Sequence, residues 1–385
     1  MNKVILIGGN HHNGLGLVRS FGVNHIYPYG IIIGEDSKRS FLRYSRYWKK
    51  IWTIEDKNKI IEFLLNEFRN EIEKPVIIPW SDTAAKIIDE NLNRLKEFFI
   101  VPSIRGEQGS IAQLMVKSKQ VELANEFGIP MANSCIVELP CCNPPEQINY
   151  PCIVKPVVST EGLKADIRMF DNPMETAEYF SKLTDLGYTR ILVQDYINYE
   201  YEVGFIGSCS SDPAFLINKK VRIWPKVGGS NSFVQKENDR GVQEMCHSIL
   251  NVLKHIGYCG MFDVELFCLK DKVYLNEINW RSSGNSFFCL GSEVHYAVIW
   301  YYIMSGYDVP SNMKRTNDDS SFYAMNESTD LRHVVYGNLP FLKWNRDRKR
   351  CKCFALWYKG DLKPTIVQYC HLFISMIGRK RKDYN

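Results

Sequence analysis

Several things are missing from this sequence of 385 residues, and each absence removes a class of protein. No apolar stretch runs uninterrupted for the roughly 18 residues that a membrane-spanning helix needs, so no transmembrane segment is expected. There is no pair of Cys-x-x-Cys motifs. The twelve cysteines are scattered, with Cys141-Cys142 and Cys351-Lys352-Cys353 as the tight clusters. With no leader-like start in "MNKVILIGG", they read as reduced thiols in a cytoplasmic protein. An excess of one charge is also lacking. A net +5 suits anionic substrates such as nucleotides but argues little for nucleic acid. Neither an internal repeat nor a low-complexity segment stands out.

What is present is ordinary globular composition, 45% apolar and 24% charged, in a chain long enough for two or three compact units. "KVILIGG", "IYPYGIIIG", "RYWKKIWTI" and "KPVIIPWSD" read as buried strands, with helices from "NHHNGLGLVRSFG" and "KNKIIEFLLNEFRN" between them. That alternation predicts an α/β unit ending near residue 100. Gly8, Gly9, Gly14 and Gly16 do not form the dinucleotide fingerprint, which leaves a phosphate-binding turn or a turn that packs helix on strand. Further on, a helix is expected over 113–128, then strands at "PCIVKPVV", "TRILVQDYI" and "YEVGFIGSCS", with the helix "NPMETAEYFSKLTDLG" among them. A loop region is expected through Pro225 and Gly229, and a strongly amphipathic helix over 241–257. The C-terminal "CHLFISMIGRKRKDYN" suggests either contact with a membrane surface or a packed terminal element with a solvated tail.

The clearest hairpin is "GMFDVELFCLKDKVYLNEIN", turning at Lys270-Asp271. Strand side chains repeat every two residues, so Asp263 and Glu265 share a face, as do Glu277 and Asn279. Pairing the two strands brings Glu265, Glu277 and Asn279 together as hard oxygen ligands suited to Mg²⁺, with Mn²⁺ also possible. Arg281 follows at once and is fit to hold an anionic oxygen with two donors. A surface hairpin with unrelated acids is the plainer alternative. It fits poorly with the flanking Val264, Leu266, Leu275 and Ile278, because buried carboxylates need partners.

From about Ser118 to Asn285 these residues resemble the ATP-grasp superfamily of carboxylate-amine ligases, and "VELFCLKDKVYLNEINWR" is similar to its closing signature. The resemblance implies an α/β (α+β) ATP-grasp fold. It would comprise an N-terminal Rossmann-like domain at 1–112, a central subdomain with a lid at 113–196, a metal-binding subdomain of antiparallel sheet at 197–310, and a C-terminal extension at 311–385. Glu265, Glu277 and Asn279 would then hold metal, with Asp263 as the alternative to Glu265, and Arg281 would face the reacting phosphate. Lys119 would reach the ATP phosphates and Lys155 the α-phosphate and adenine. Ser159, Thr160 and Lys164 would lie in the lid. Gln194, Asp195, Tyr196 and Ile197 would surround adenine, and Glu202, with Glu200 as alternative, would hold the ribose. In the basic run Lys219, Lys220, Arg222 and Lys226, Arg222 is the candidate for the γ-phosphate.

Ser81 and Asp82, at a strand's end, are candidates for substrate contact, as are Ser283, Gly284 and Asn285 after the metal strand. "SFLRYSRYWKK" resembles the D-aspartate ligase and carbamoyl phosphate synthase-like amino-acid ligase branch, placing Ser40, Ser45, Arg46 and Tyr47 near a cleft or on a basic surface. The implied activity joins a carboxylate to an amine, with an amino acid on at least one side, through an acyl phosphate made from ATP. A small-molecule kinase and a nucleotide-binding regulator without turnover are the alternatives. A monomer or homodimer is expected, with no nucleic-acid partner.

Overall fold

The computed structural model describes residues 1–157, 166–225, 229–270, 272–316 and 321–382, with side chains described up to 374. Its first sheet is parallel, in the order Lys50–Ile54, Tyr29–Ile33, Val4–Gly8, Val76–Pro79. Parallel sheets need cover on both faces, and the alternation along each strand supplies it. Val4, Leu6, Ile32 and Ile78 pack with Leu15, Val18 and Phe21 of helix His12–Val23. Ile5, Ile7, Ile31 and Ile77 pack with Ile60, Leu64 and Ile88 of helices Ile60–Phe68 and Asp82–Glu90. The opening glycines serve this packing. A Cβ on Gly8 or Gly14 would lie 2.6 or 2.9 Å from the Trp80 indole, and one on Gly16 would strike the backbone of Phe287 at 2.5 Å.

A second sheet, small and antiparallel, has the order Ser134–Glu138, Arg190–Asp195, Cys152–Pro156, Arg168–Phe170, and is backed by helix Pro173–Asp185. The third is the largest. Its path runs Lys272–Asn279, Tyr258–Leu269, Tyr201–Cys209, Ala214–Trp224, Ser230–Lys236, Tyr323–Met325, Cys351–Phe354, with Ser103–Ile104 pairing off Tyr258–Leu269. One face of this sheet, with Val203, Phe205, Ile217 and Val264, packs on the amphipathic helix Arg240–His255. The other face is apolar at one end, where Ile206 and Leu216 meet helix Tyr296–Met304, and polar at the other. That polar end carries the site.

Three expectations need correction. The stretch read as a loop through Pro225 and Gly229 contains two long strands, Ala214–Trp224 and Ser230–Lys236. Three of its cations suit a strand because they find partners: Lys219 over the Tyr201 ring, Lys220 with Glu202, Arg222 with Asp330. The helix expected over 113–128 is two helices, Ser110–Leu114 and Lys117–Glu126. At the break, the Leu114 carbonyl accepts instead from Gln120 Nε2 and Trp280 Nε1, at 2.9 and 3.1 Å. The residues after 311 do not stand apart from the core: two of their strands extend the large sheet, and Asp361 forms a buried ion pair with Arg19 at 3.1 Å. Asp361 also accepts from Ser45 Oγ and the Arg46 amide, at 2.7 and 2.9 Å, so Ser45 and Arg46 anchor the tail.

Candidate active site

The hairpin expected from the sequence is present, and its register decides what meets what. Asp263 stands opposite Asn279 and Glu265 opposite Glu277, after which the pairing shifts so that Leu266 faces Leu275. Asn276 is the extra residue, and this bulge puts Glu277 and Asn279 on the same face as Glu265 and Asp263. Without it, strand alternation would send the acids of the two strands to opposite faces of the sheet. Asn279 Nδ2 donates to the Asp263 carbonyl at 3.1 Å, and Asn276 Nδ2 to Glu265 at 3.3 Å.

The neighbouring strands extend this face. Gly204 pairs with Glu265 on one side and Asn218 on the other, and Glu202 pairs with Lys220. Lys220 Nζ lies 2.7 Å from Glu202 and 3.1 Å from Glu265. Burial opposes the lysine's charge, but the two carboxylates outweigh it and raise its pKa. Tyr199 also donates to Glu202, at 2.7 Å, and stacks on Phe267. Glu200 is exposed.

Lys155 comes from the small sheet. It is buried and donates to Gln194 Oε1 at 2.7 Å. Burial lowers its pKa to about 7, helped by the nearby charge of Lys117 and opposed by Glu277 and Glu265. The small sheet therefore brings a lysine within electrostatic reach of the carboxylates of the large one. Asp195 bonds Asn149 twice, through its amide and Nδ2, both at 2.8 Å. Tyr196 and Ile197 follow at the turn between the sheets, half-buried.

Where the carboxylate face meets the N-terminal sheet, Arg281 bridges the two units. Its Nη1 is 2.5 Å from Asp263 and its Nε 3.2 Å from Asp82. Burial raises the pKa of Asp263, with Arg281 pulling it back. A cavity of about 460 Å³ opens here, lined by Ser81, Asp82, Asp263, Glu265, Arg281 and the Ser283–Asn285 turn, with Gly9 to Asn13 across from them. All five expected substrate residues line it. Ser81 also caps the helix Asp82–Glu90, which fixes the placement of Asp82. The turn is held by Asn285 Nδ2 on Asn218 Oδ1 at 3.2 Å and by Ser286 Oγ on the Asn13 carbonyl at 2.9 Å. A second cavity of about 670 Å³ shares Asn10, His11, His12, Gly229 and Ser230 with the first, and continues to Trp224, Ser328, Thr329 and Arg332. Burial keeps the pKa of His12 well below the ordinary histidine value.

The ATP-grasp domain family matches residues 122–291. That stretch is similar to an ATP-grasp domain. Formate-dependent phosphoribosylglycinamide formyltransferase from Tolumonas auensis is 25% identical over 201 residues, 51% of this chain and 50% of that protein. The enzyme of the same name from Mannheimia succiniciproducens is 26% identical over 240 residues, 58% and 57% of the two chains. The chain thus spans little more than half the length of these curated relatives. Among solved structures, N5-carboxyaminoimidazole synthetase from Staphylococcus aureus complexed with ADP superposes with a TM-score of 0.65 at 15% identity, covering 88% of this chain and 86% of that one. L-amino acid ligase from Bacillus licheniformis gives 0.61 at 14%, covering 79% and 74%. The fold is that of ATP-grasp enzymes. The narrower branch expected from "SFLRYSRYWKK" is not among these neighbours, and Ser45 and Arg46 of that segment are engaged with the tail.

Several of the expected site residues have partners away from the carboxylate face. Lys119 is exposed and paired with Glu122 at 2.6 Å. Lys117, at the start of the same helix, is the lysine whose charge acts on Lys155, and its amide donates to the Val157 carbonyl at 3.3 Å. Arg222 is held by Asp330 and Asp347, at 2.8 and 2.6 Å, so among the described residues of the basic run Lys220 meets the carboxylate face. Ser159, Thr160, Lys164 and Lys226 lie outside the described residues. Lys220 was missed because its segment was read as loop; strand alternation from Glu202 and the basic run would have paired them. Asn218 and His12 carried no signal above that of an ordinary polar residue.

Proposed function

We propose that this chain is an ATP-dependent ligase that joins a carboxylate to an amine through an acyl phosphate. The observation that carries the reading is the single polar face of Glu265, Glu277, Asn279 and Arg281, set across a cleft from the buried Lys155 and opening into the Ser81-Asp82 cavity. No cluster of three or more His, Cys, Asp or Glu that could hold a metal occurs among the described residues. Two opposed carboxylates and one amide oxygen are nevertheless the hard donor set that suits Mg²⁺, an ion that completes its shell with water and phosphate oxygens. Glu265, Glu277 and Asn279 would hold the ion, which supplies charge neutralisation on the triphosphate. Lys155 would contact the phosphates near Gln194, Glu202 would hold the ribose, and Arg281 would face the transferred group.

The chemistry then balances. A carboxylate oxygen attacks the γ-phosphorus, the bond to the β-γ bridging oxygen breaks, and ADP leaves. The amine adds to the acyl carbon, the carbon–oxygen bond to phosphate breaks, and the amine nitrogen loses a proton. Cations fixed in a dry cleft stabilise the charge spread over the transferred phosphoryl group. The curated relatives are named for formate and phosphoribosylglycinamide, and one solved neighbour for L-amino acids. Taken with two adjoining cavities of about 460 and 670 Å³, these favour a small carboxylate, or an amino acid, in the chamber beside Asp82, with a bulkier amine in the chamber beside Arg332. ADP release with Mg²⁺, measured across a matrix of D- and L-amino acids and small carboxylates with and without amine partners, tests the reading. Turnover that requires one carboxylate–amine pair supports it; turnover with the carboxylate alone indicates a kinase; ATP binding without turnover on any pair indicates a regulator.

A further inference from the structure

The two cavities share Asn10, His11, His12, Gly229 and Ser230. On the ligase reading, on which this inference rests, carboxylate and amine come from opposite chambers, so the new bond forms at this junction. An amine that adds to an acyl phosphate carries one proton too many, and a positioned base speeds its removal. The charged groups lining the chambers are poorly placed to accept it. Asp82 and Asp263 are both ion-paired with Arg281, Glu265 is ion-paired with Lys220, and Arg332 is a cation. His11 is exposed, and its Nδ1 accepts from the Asn13 amide at the start of the helix.

His12 is different. It lines both chambers, edge-on to Phe287 and with its ring 3.9 Å from that of His11. Asn326, from the larger chamber, faces it. Asn326 Oδ1 accepts from the Ser328 hydroxyl and the Thr329 amide, at 3.1 and 3.4 Å, which turns its Nδ2 toward His12 Nε2 at 3.4 Å. Nε2 therefore presents a lone pair, and so long a contact is readily exchanged for a shorter one. His12 is also the first residue of helix His12–Val23, whose first turn holds no acid, so the helix dipole favours the neutral ring, as burial does. We propose that His12 Nε2 is the general base of the second half-reaction, taking a proton from the amine nitrogen as the carbon–oxygen bond to phosphate breaks. The electron pair of that bond leaves with phosphate, and the imidazolium passes its proton to water.

The test compares two nucleophiles on the full chain, with Mg²⁺, ATP and the carboxylate–amine pair that supports ADP release. Hydroxylamine is unprotonated at neutral pH and its adduct sheds a proton to water, so trapping the acyl phosphate as a hydroxamate needs no base. In His12→Gln, amide formation with the paired amine should fall about 10²-fold or more, while hydroxamate formation stays near the native rate. The KM for ATP should not change. His12→Ala is the second variant, and added imidazole should restore part of its amide formation without altering its hydroxamate yield. Amide formation kept by His12→Gln, or an equal loss of both products that imidazole does not restore, would overturn the proposal. So would loss of amide formation in His11→Gln with His12→Gln fully active. Native protein that makes no hydroxamate would overturn the ligase reading itself, and the role of His12 with it.

Discussion

Lys220 and Arg222 sit two residues apart on one strand, and each is held by two carboxylates, yet solvent reaches the two clusters differently. Lys220 lies between Glu202 and Glu265 at the mouth of the cleft, where the Glu265 side chain keeps 31% of its exposure. Arg222 binds Asp330 through two nitrogens and Asp347 through a third, and the Asp330 side chain is fully buried. The pairing register shifts between Lys220 and Arg222, which separates what plain alternation would have kept on one face. The comparison teaches that charge composition alone does not distinguish a binding site from a structural clamp. What differs between the two clusters is whether a carboxylate keeps solvent-facing oxygen, as Glu265 does and Asp330 does not.

The comparison can be broken from either side. The largest effect is expected from Glu277→Gln, which keeps the shape but removes charge from the carboxylate face. ADP release should fall on the order of 10²–10³-fold, the scale for losing one group that stabilises transferred charge. The melting temperature should hardly change; a large drop in it would place Glu277 among the structural acids. Next comes Arg222→Met, which leaves Asp330 and Asp347 buried without their cation. A loss of about 3–5 kcal/mol in urea unfolding is expected. Adding Asp330→Asn should restore part of it, and the folded fraction should keep its KM for ATP. Lys220→Met should cost less stability, about 1.5–3 kcal/mol, because solvent reaches Glu265, but it should raise the KM for ATP. If Lys220→Met and Arg222→Met shift both quantities alike, the distinction between site and clamp fails.

Much of this was legible in the sequence because it rested on short-range patterns. Isoleucine-rich runs separated by helical spacing gave the parallel sheet, and two-residue alternation paired Asp263 with Glu265 and Glu277 with Asn279 within each strand, while the bulge at Asn276 that brings the two pairs onto one face carried no signal. Ser81 and Asp82 were recognisable as the polar end of a buried strand. What escaped depended on distant partners. Ala214–Trp224 reads as a basic loop until Glu202, Asp330 and Asp347 come from elsewhere to neutralise it. Lys117 and Lys119 are indistinguishable on paper, and the choice depends on a helix break fixed by Gln120 and Trp280. The tail could not be read as part of the core, because its strands are short and its anchor, Asp361, meets Arg19 across 342 residues.

The smallest effect concerns Lys155, the cation on the opposite wall, and it extends the comparison to a group whose charge is not settled by a salt bridge. Burial lowers its pKa to about 7, so in the nucleotide-free protein it is mostly neutral above that pH. A triphosphate beside it favours the charged form and raises the pKa again. Binding above pH 7 must then take up a proton, and by linkage the affinity for ATP falls as pH rises, by at most about tenfold per unit. Below pH 7 the lysine is already charged and its contribution levels off. Calorimetry between pH 7.5 and 9, in buffers of different ionisation enthalpy, should show uptake approaching one proton, and Lys155→Met should abolish it. Lys220, held charged by Glu202 and Glu265, should contribute no such uptake when tested as Lys220→Met. Proton uptake that survives in Lys155→Met but disappears in Lys220→Met would reverse the assignment, making the carboxylate wall the part of the cleft that titrates.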